Sequence, residues 1–163
     1  MSALADDLQK ILVDRTCIVG VGNMLRNDDA IGAIVANRLQ QEISPASQLS
    51  VVNVEDVIEN HVFRIAENDA RNILVIDAVQ WAGAEPGSLV LGRMEDLETS
   101  GGGYSTHKLA LSTAAIVLRH HGKEVYLLGI AAANTDFGRQ VSQDVLDGGE
   151  AVIAMVRENC RSE

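Results

Sequence analysis

Four short apolar runs, set apart by stretches with helical spacing, constrain this chain more than any other feature. They are Thr16-Cys17-Ile18-Val19-Gly20-Val21-Gly22, Leu49 to Val54, Asn72-Ile73-Leu74-Val75-Ile76-Asp77-Ala78 and Glu124 to Ile130. Runs this short, rich in Val, Ile and Leu, read as strands buried on both faces. Helical spacing fills the intervals: Leu4, Leu8, Ile11 and Leu12 within Leu4–Val13, and Ile31, Ile34, Val35 and Leu39 within Ala30–Gln41. The same holds for Val57, Ile58, Val62 and Ile65 within Val57–Ala66, for His107 to His120, and for Val145, Val152 and Val156 within Ser142–Asn159. Asp6 and Asp7 sit where the dipole of the first helix favours anions.

Strands that alternate with helices predict a mostly parallel, twisted sheet with helices on both faces. The expected fold is therefore a three-layer α/β/α sandwich of about five strands. Gly83, Pro86 and Gly87 mark a turn before Ser88 to Gly92, which predicts one antiparallel edge strand, and Ser100 to Gly103 reads as a flexible loop. At 163 residues, with no repeat, linker or low-complexity segment, residues 1–163 are expected to form one domain.

Composition removes several function classes. No apolar run approaches the roughly 18 to 20 residues that cross a bilayer, and Met1 to Lys10 carries Asp6 and Asp7 in place of a basic leader. Membrane insertion and secretion are not expected, and the cytoplasm is the predicted location. Two cysteines, Cys17 and Cys160, lack C-x-x-C spacing and are expected to be reduced thiols, not a zinc knuckle or redox pair. A net charge of -10 repels phosphate backbones, so no nucleic-acid partner is predicted.

In sheets of this kind ligands bind beyond the carboxyl ends of the strands. Asp28 and Asp29 follow the first strand, Asp77 ends the third, and Tyr104-Ser105-Thr106-His107 opens a helix. These three polar clusters are expected to converge. Taken singly, each has a plainer reading. Asp28 is expected to cap or begin its own helix, Asp77 could accept loop amides, and His61, His120 and His121 read as ordinary helix-surface or helix-terminal residues.

Gly20-Val21-Gly22-Asn23-Met24-Leu25 has part of a dinucleotide fingerprint. Leu25, however, replaces its third glycine, and Asp28 and Asp29 would repel a pyrophosphate. A serine triad lacks its G-x-S-x-G elbow, and Cys17 inside a predicted buried strand is poorly placed as a nucleophile.

The stretch from Gly20 to Gly32, with its glycine pair, Asn23, the acidic pair Asp28-Asp29 and the closing Gly32, resembles the signature of hydrogenase maturation endopeptidases. The resemblance continues through Ile76-Asp77-Ala78, Pro86-Gly87 and Thr106-His107-Lys108-Leu109, and spans roughly Cys17 to Ala131. It implies an endopeptidase that removes a C-terminal peptide from the large-subunit precursor of a nickel–iron hydrogenase. It also implies that Asp29, Asp77 and His107 bind a metal: nickel, carried by the substrate, with no tightly bound cofactor of the enzyme's own.

Two carboxylates and one imidazole suit that implication, because they form an incomplete ligand set for a borderline divalent ion and leave positions open. Cleavage could use the metal to polarise a carbonyl, or Asp29 and Asp77 as general acid and base in an aspartyl-type mechanism. A monomer is expected. The alternative is a non-catalytic assembly checkpoint or metallochaperone of the same fold. Trp81, Tyr104 and Lys108 receive no role.

One departure stands out. Asn53 to Asn60 occupies the region where the family carries a glycine-containing turn and a Pro-Glu-Asn segment, and only Glu59-Asn60 survives. Glu55 and Asp56 resist the backbone angles that glycine permits, so a differently shaped loop is expected.

Overall fold

Among the described residues six strands form one sheet, and the order in which the chain visits them creates the crevice that matters. The computed structural model describes residues 2–99, 103–105 and 107–161. Helix α1 (Ala3–Leu12) starts at Ser2, whose hydroxyl accepts from the Ala5 amide at 3.2 Å, and leads into β1 (Thr16–Val21). All six residues of β1 are buried, as a continuous apolar run in a central parallel strand requires. Then come α2 (Ile31–Glu42), β2 (Leu49–Glu55), α3 (Val62–Glu67), β3 (Asn72–Trp81) and β4 (Leu89–Arg93). The chain ends with α4 (Met94–Thr99), β5 (Gly103–Ser105), α5 (Lys108–His120), β6 (Glu124–Ala131) and α6 (Gln143–Glu158).

The main strand order is β2-β1-β3-β6-β4, with β5 pairing β3 off that path. Strands β1, β2, β3 and β6 are parallel, and β4 adds antiparallel at the edge, with Leu91 opposite Leu128. This is the expected mostly parallel sandwich with one antiparallel edge strand, plus the short β5. From β1 the chain moves outward to β2, then returns across β1 to β3. The order therefore reverses between β1 and β3, and a crevice opens beyond their carboxyl ends.

The two faces of the sheet carry separate cores. On one, Val19, Ile73, Val75 and Leu127 pack against Ile65 of α3 and Leu111, Ala115 and Leu118 of α5. On the other, Ile18, Leu74, Ile76 and Leu128 pack against Leu8 of α1, Ile31 and Val35 of α2, and Val152 and Val156 of α6. The approach of α2 is close enough that its backbone touches the sheet. A Cβ at Gly32 would lie 2.1 Å from the Val21 carbonyl oxygen and 2.3 Å from that of Ile76. The closing glycine of the sequence signature is thus required where α2 crosses β1 and β3.

Four local expectations are corrected. The segment Val57–Ala66 is not one helix: a 3₁₀ turn (Ile58–Asn60) precedes the six-residue α3. Strand β3 runs on to Trp81, because β5 pairs with Val79, Gln80 and Trp81. Gly103, expected in a flexible loop, lies in β5, while Ser100, Gly101 and Gly102 fall outside the described residues. Helix α4 is an addition to the expected elements.

Glu55 adopts φ 53°, and its carbonyl accepts from the Gly22 amide at 2.7 Å. Glu55 thus takes the left-handed angles it was expected to resist, at a cost of roughly 1–2 kcal/mol for an ordinary side chain.

Candidate functional site

Asp28 and Asp29 are adjacent and both buried, yet their carboxylates do different things. A 3₁₀ turn (Asn27–Ala30) lays them across the end of β1 immediately before α2. Asn27 takes φ 48°, a conformation Asn tolerates better than most residues. The Asp28 carboxylate accepts from the Ala133 and Asn134 amides at 2.8 and 3.0 Å, and from the Ser142 amide and hydroxyl at 2.6 and 2.9 Å. Burial alone would raise its pKa, but these hydrogen bonds outweigh burial and hold it below the usual aspartate value. Asp28 was expected to cap its own helix, and it does not, because its carboxylate is taken up by donors from another loop. It fastens the loop after β6, and the residue that precedes α6, to the loop after β1.

Asp29 faces the crevice. Its Oδ2 accepts from the Asn23 amide at 3.2 Å and lies 3.5 Å from Nε2 of His107. Asp77, fully buried in β3, accepts from the Ala78 amide at 2.8 Å through Oδ1. His107 caps the start of α5, and its Nδ1 lies 3.1 Å from Oδ2 and 3.3 Å from Oδ1 of Asp77. The imidazole is thus held between two carboxylates, one at each ring nitrogen. Burial would lower its pKa, but the Asp77 hydrogen bond and the charges of Asp77, Asp29 and Asp56 outweigh burial and hold it above the usual value.

Asp29, Asp77 and His107 each offer a ligand atom, and all three atoms lie within 4.8 Å of one another. Oxygen and imidazole donors in that number fit a borderline divalent cation and leave coordination positions for groups from outside the chain. Formal charge fits as well. Two carboxylates with a neutral imidazole carry two negative charges, which a divalent ion brings to neutrality.

Asn23 and Asp56 complete the surroundings and were given no role from sequence. The Asn23 side chain accepts from the Leu25 amide at 2.9 Å and donates to Asp56 at 3.1 Å, while its own amide donates to Asp29. Asn23 thereby fixes the loop that carries Asp29. Its presence in the signature between Gly20 and Gly32 was the available signal.

Beyond the carboxyl ends of β3 and β6 lies a cavity of about 320 Å³ lined by Trp81, Val79, Gln80 and Ala82, Ala84, Ala131 and Ala132. Cys17 is buried in β1, and burial raises its thiol pKa. Cys160 lies 3.2 Å from the Ser47 hydroxyl at the opposite end of the sheet. His61 contacts Arg64, and Nδ1 of His121 lies 2.9 Å from the Val117 carbonyl oxygen at the end of α5. None of these residues joins the cluster. Thr106 lies outside the described residues, as does the side chain of Tyr104.

The profile of the HycI hydrogenase maturation protease family matches residues 33–159, more than three-quarters of the chain. The chain belongs to this family. Membership makes it a peptidase, and the matched span takes in Asp77 and His107 but begins four residues after Asp29. The place of Asp29 in the protease's cluster accordingly rests on its distances to His107 and Asn23.

Solved structures agree on the fold. The [NiFe] hydrogenase maturation protease HycI from Thermococcus kodakarensis KOD1 is 24% identical with a TM-score of 0.79, over 94% of this chain and 97% of that one. The endopeptidase HycI from Escherichia coli is 22% identical with a TM-score of 0.71, over 88% and 89%. The hydrogenase maturating endopeptidase HybD from E. coli is 22% identical with a TM-score of 0.67, over 88% and 93%. Among curated proteins none matches the chain. No helix of the described residues is long and apolar enough to cross a membrane.

Proposed function

We propose that this protease removes the C-terminal peptide from the large-subunit precursor of a nickel–iron hydrogenase, and that Asp29, Asp77 and His107 read nickel already held by that precursor. The observation that carries the reading is the cluster of two buried carboxylates and one imidazole at the topological switch point. Three protein ligands are too few to close a structural site, so the remaining positions belong to groups the precursor brings. Nickel is part of the substrate on this reading, and the protease, a monomer acting in the cytoplasm, needs no tightly bound cofactor of its own.

Nickel held at Asp29, Asp77 and His107 would supply Lewis-acid polarisation of a nearby carbonyl. In the alternative scheme the proton movements fall to Asp29 and Asp77, the two carboxylates of the cluster. Asn23 and Asp56 hold the Asp29 loop in place. Membership of a protease family favours cleavage over a checkpoint that only binds.

The test incubates purified precursor, with and without nickel, with the wild-type chain and with Asp29→Asn, Asp77→Asn and His107→Ala. Mass spectrometry follows loss of the C-terminal fragment. Cleavage is expected only with nickel and all three side chains, and circular dichroism checks that each variant is folded. Equal cleavage of the nickel-free precursor overturns the recognition step.

A further inference from the structure

Large apolar side chains left on the surface are concentrated at one end of the molecule. Seven are exposed among the described residues, and five of them belong to segments that emerge at the carboxyl end of the sheet. Met24 and Leu25 come after β1, Phe63 is the second residue of α3, Leu109 the second of α5, and Phe137 lies in the loop after β6. Leu109, 83% exposed, is two residues from His107, and Phe137, 78% exposed, sits on a loop that Asp28 fastens beside Asp29. The Leu25 and Phe137 loops are joined directly, since Gly138 donates to the Leu25 carbonyl at 2.9 Å and Arg26 stacks 4.3 Å over the Phe137 ring. Of the other two, Val13 lies at the opposite end and Ile116 two turns along α5.

We infer that Met24, Leu25, Phe63, Leu109 and Phe137 are the docking rim for the precursor's folded surface around its metal, the cluster of Asp29, Asp77 and His107 lying at the centre. This rests on the function proposed for that cluster. Exposed apolar groups held by ordered loops lose free energy to water that a protein surface recovers on burial. They emerge at the same end of the sheet as a cluster that leaves coordination positions open, so a partner that covers the rim is placed to deliver a cation. Glu55, Asp56 and Glu59 are exposed on the segment that leads from β2 into the helix carrying Phe63, and they select a partner surface whose apolar patch is flanked by basic residues. A membrane is a poor occupant, because a net charge of -10 repels anionic lipid.

The experiment measures binding of nickel-loaded precursor to the full chain by biolayer interferometry, with KM and kcat for cleavage in parallel. Leu25→Glu, Leu109→Glu and Phe137→Glu are each expected to weaken binding about tenfold or more, the scale of losing an interface anchor. KM should rise while kcat at saturation is kept. Val13→Glu, at a site as exposed as Leu25 but at the far end, is expected to bind like wild type. Cadmium titration should be unchanged in all four variants, showing that the cluster is intact.

Rim variants that bind like wild type overturn the inference, as does equal weakening by Val13→Glu. A change in self-association in place of precursor binding overturns it too, by making the rim a contact between copies. If wild type binds the precursor through the rim but does not cut it, the proposed function falls and the docking rim stands. If wild type cuts and the rim variants keep their KM, the rim alone falls, and failure of wild type to bind sinks both.

Discussion

Replacing Asp28 by Asn removes one charge and one acceptor from a place where four donors meet. The amide oxygen can turn toward the Ala133 and Asn134 amides and the Ser142 hydroxyl, which Oδ2 now serves. Its NH2 group must then face the Ser142 amide, which donates to Oδ1 at 2.6 Å. A charge-assisted bond contributes about 1.5–3 kcal/mol, and a donor left without an acceptor costs about 1–3 kcal/mol, so a loss of about 3 kcal/mol is expected. For a domain of this size that corresponds to a fall in Tm of about 6–12 °C.

The effect also has a pH signature. Because the folded-state pKa of Asp28 is depressed, its stabilisation is present above the unfolded value of about 3.9 and is lost as pH falls through the folded value. The gap in stability between wild type and Asp28→Asn should therefore hold through neutral pH and close in acid. Differential scanning calorimetry from about pH 3 to 8, with hydrogen exchange at the Ala133 and Ser142 amides, measures both. A Tm within about 2 °C of wild type at neutral pH, with those amides still protected, would falsify the clamp.

Other substitutions test other joints. Gly32→Ala forces a methyl into the Val21 and Ile76 carbonyls, and is expected to cost at least about 1–3 kcal/mol in chemical denaturation; a neutral result refutes the close crossing of α2. Glu55→Gly relieves a left-handed backbone while keeping both hydrogen bonds of that residue, and should raise the denaturation midpoint by up to about 1 kcal/mol in stability; a loss instead shows that the side chain matters there. In a thiol-reagent titration of the native chain, Cys17 should stay unreactive until unfolding, because it is buried and its pKa is raised, whereas Cys160 reacts first. Fast labelling of two thiols contradicts the burial of β1.

The fold was legible where burial made the pattern uniform. Central parallel strands such as β1 and β3 must be apolar at every position, so Cys17–Val21 and Ile73–Ile76 announce themselves and the helices fall between them. Asp77 stood out for the same reason, as a carboxylate ending an apolar run. The features that escaped depend on distant partners. β5 has three residues, begins with glycine, and is a strand only because β3 runs past its neighbour to Trp81. The helical spacing from Val57 to Ile65 is real, but the turn at Ile58–Asn60 is 3₁₀, which leaves only six residues to α3. Nothing near Asp28 in sequence could show that its donors lie more than a hundred residues away.

That separation has a consequence for the order in which the molecule becomes competent. Asp28 grips Ser142, so the loop presenting Asp29 is secured only when the polypeptide up to the beginning of its last helix is in place. Residues up to Ser142 must have left the ribosome before the pocket acquires its final shape. Shortened chains ending before residue 142 should consequently show no cadmium uptake in calorimetry, however well their early strands pair, because a segment made late serves as the latch for one made more than a hundred residues earlier.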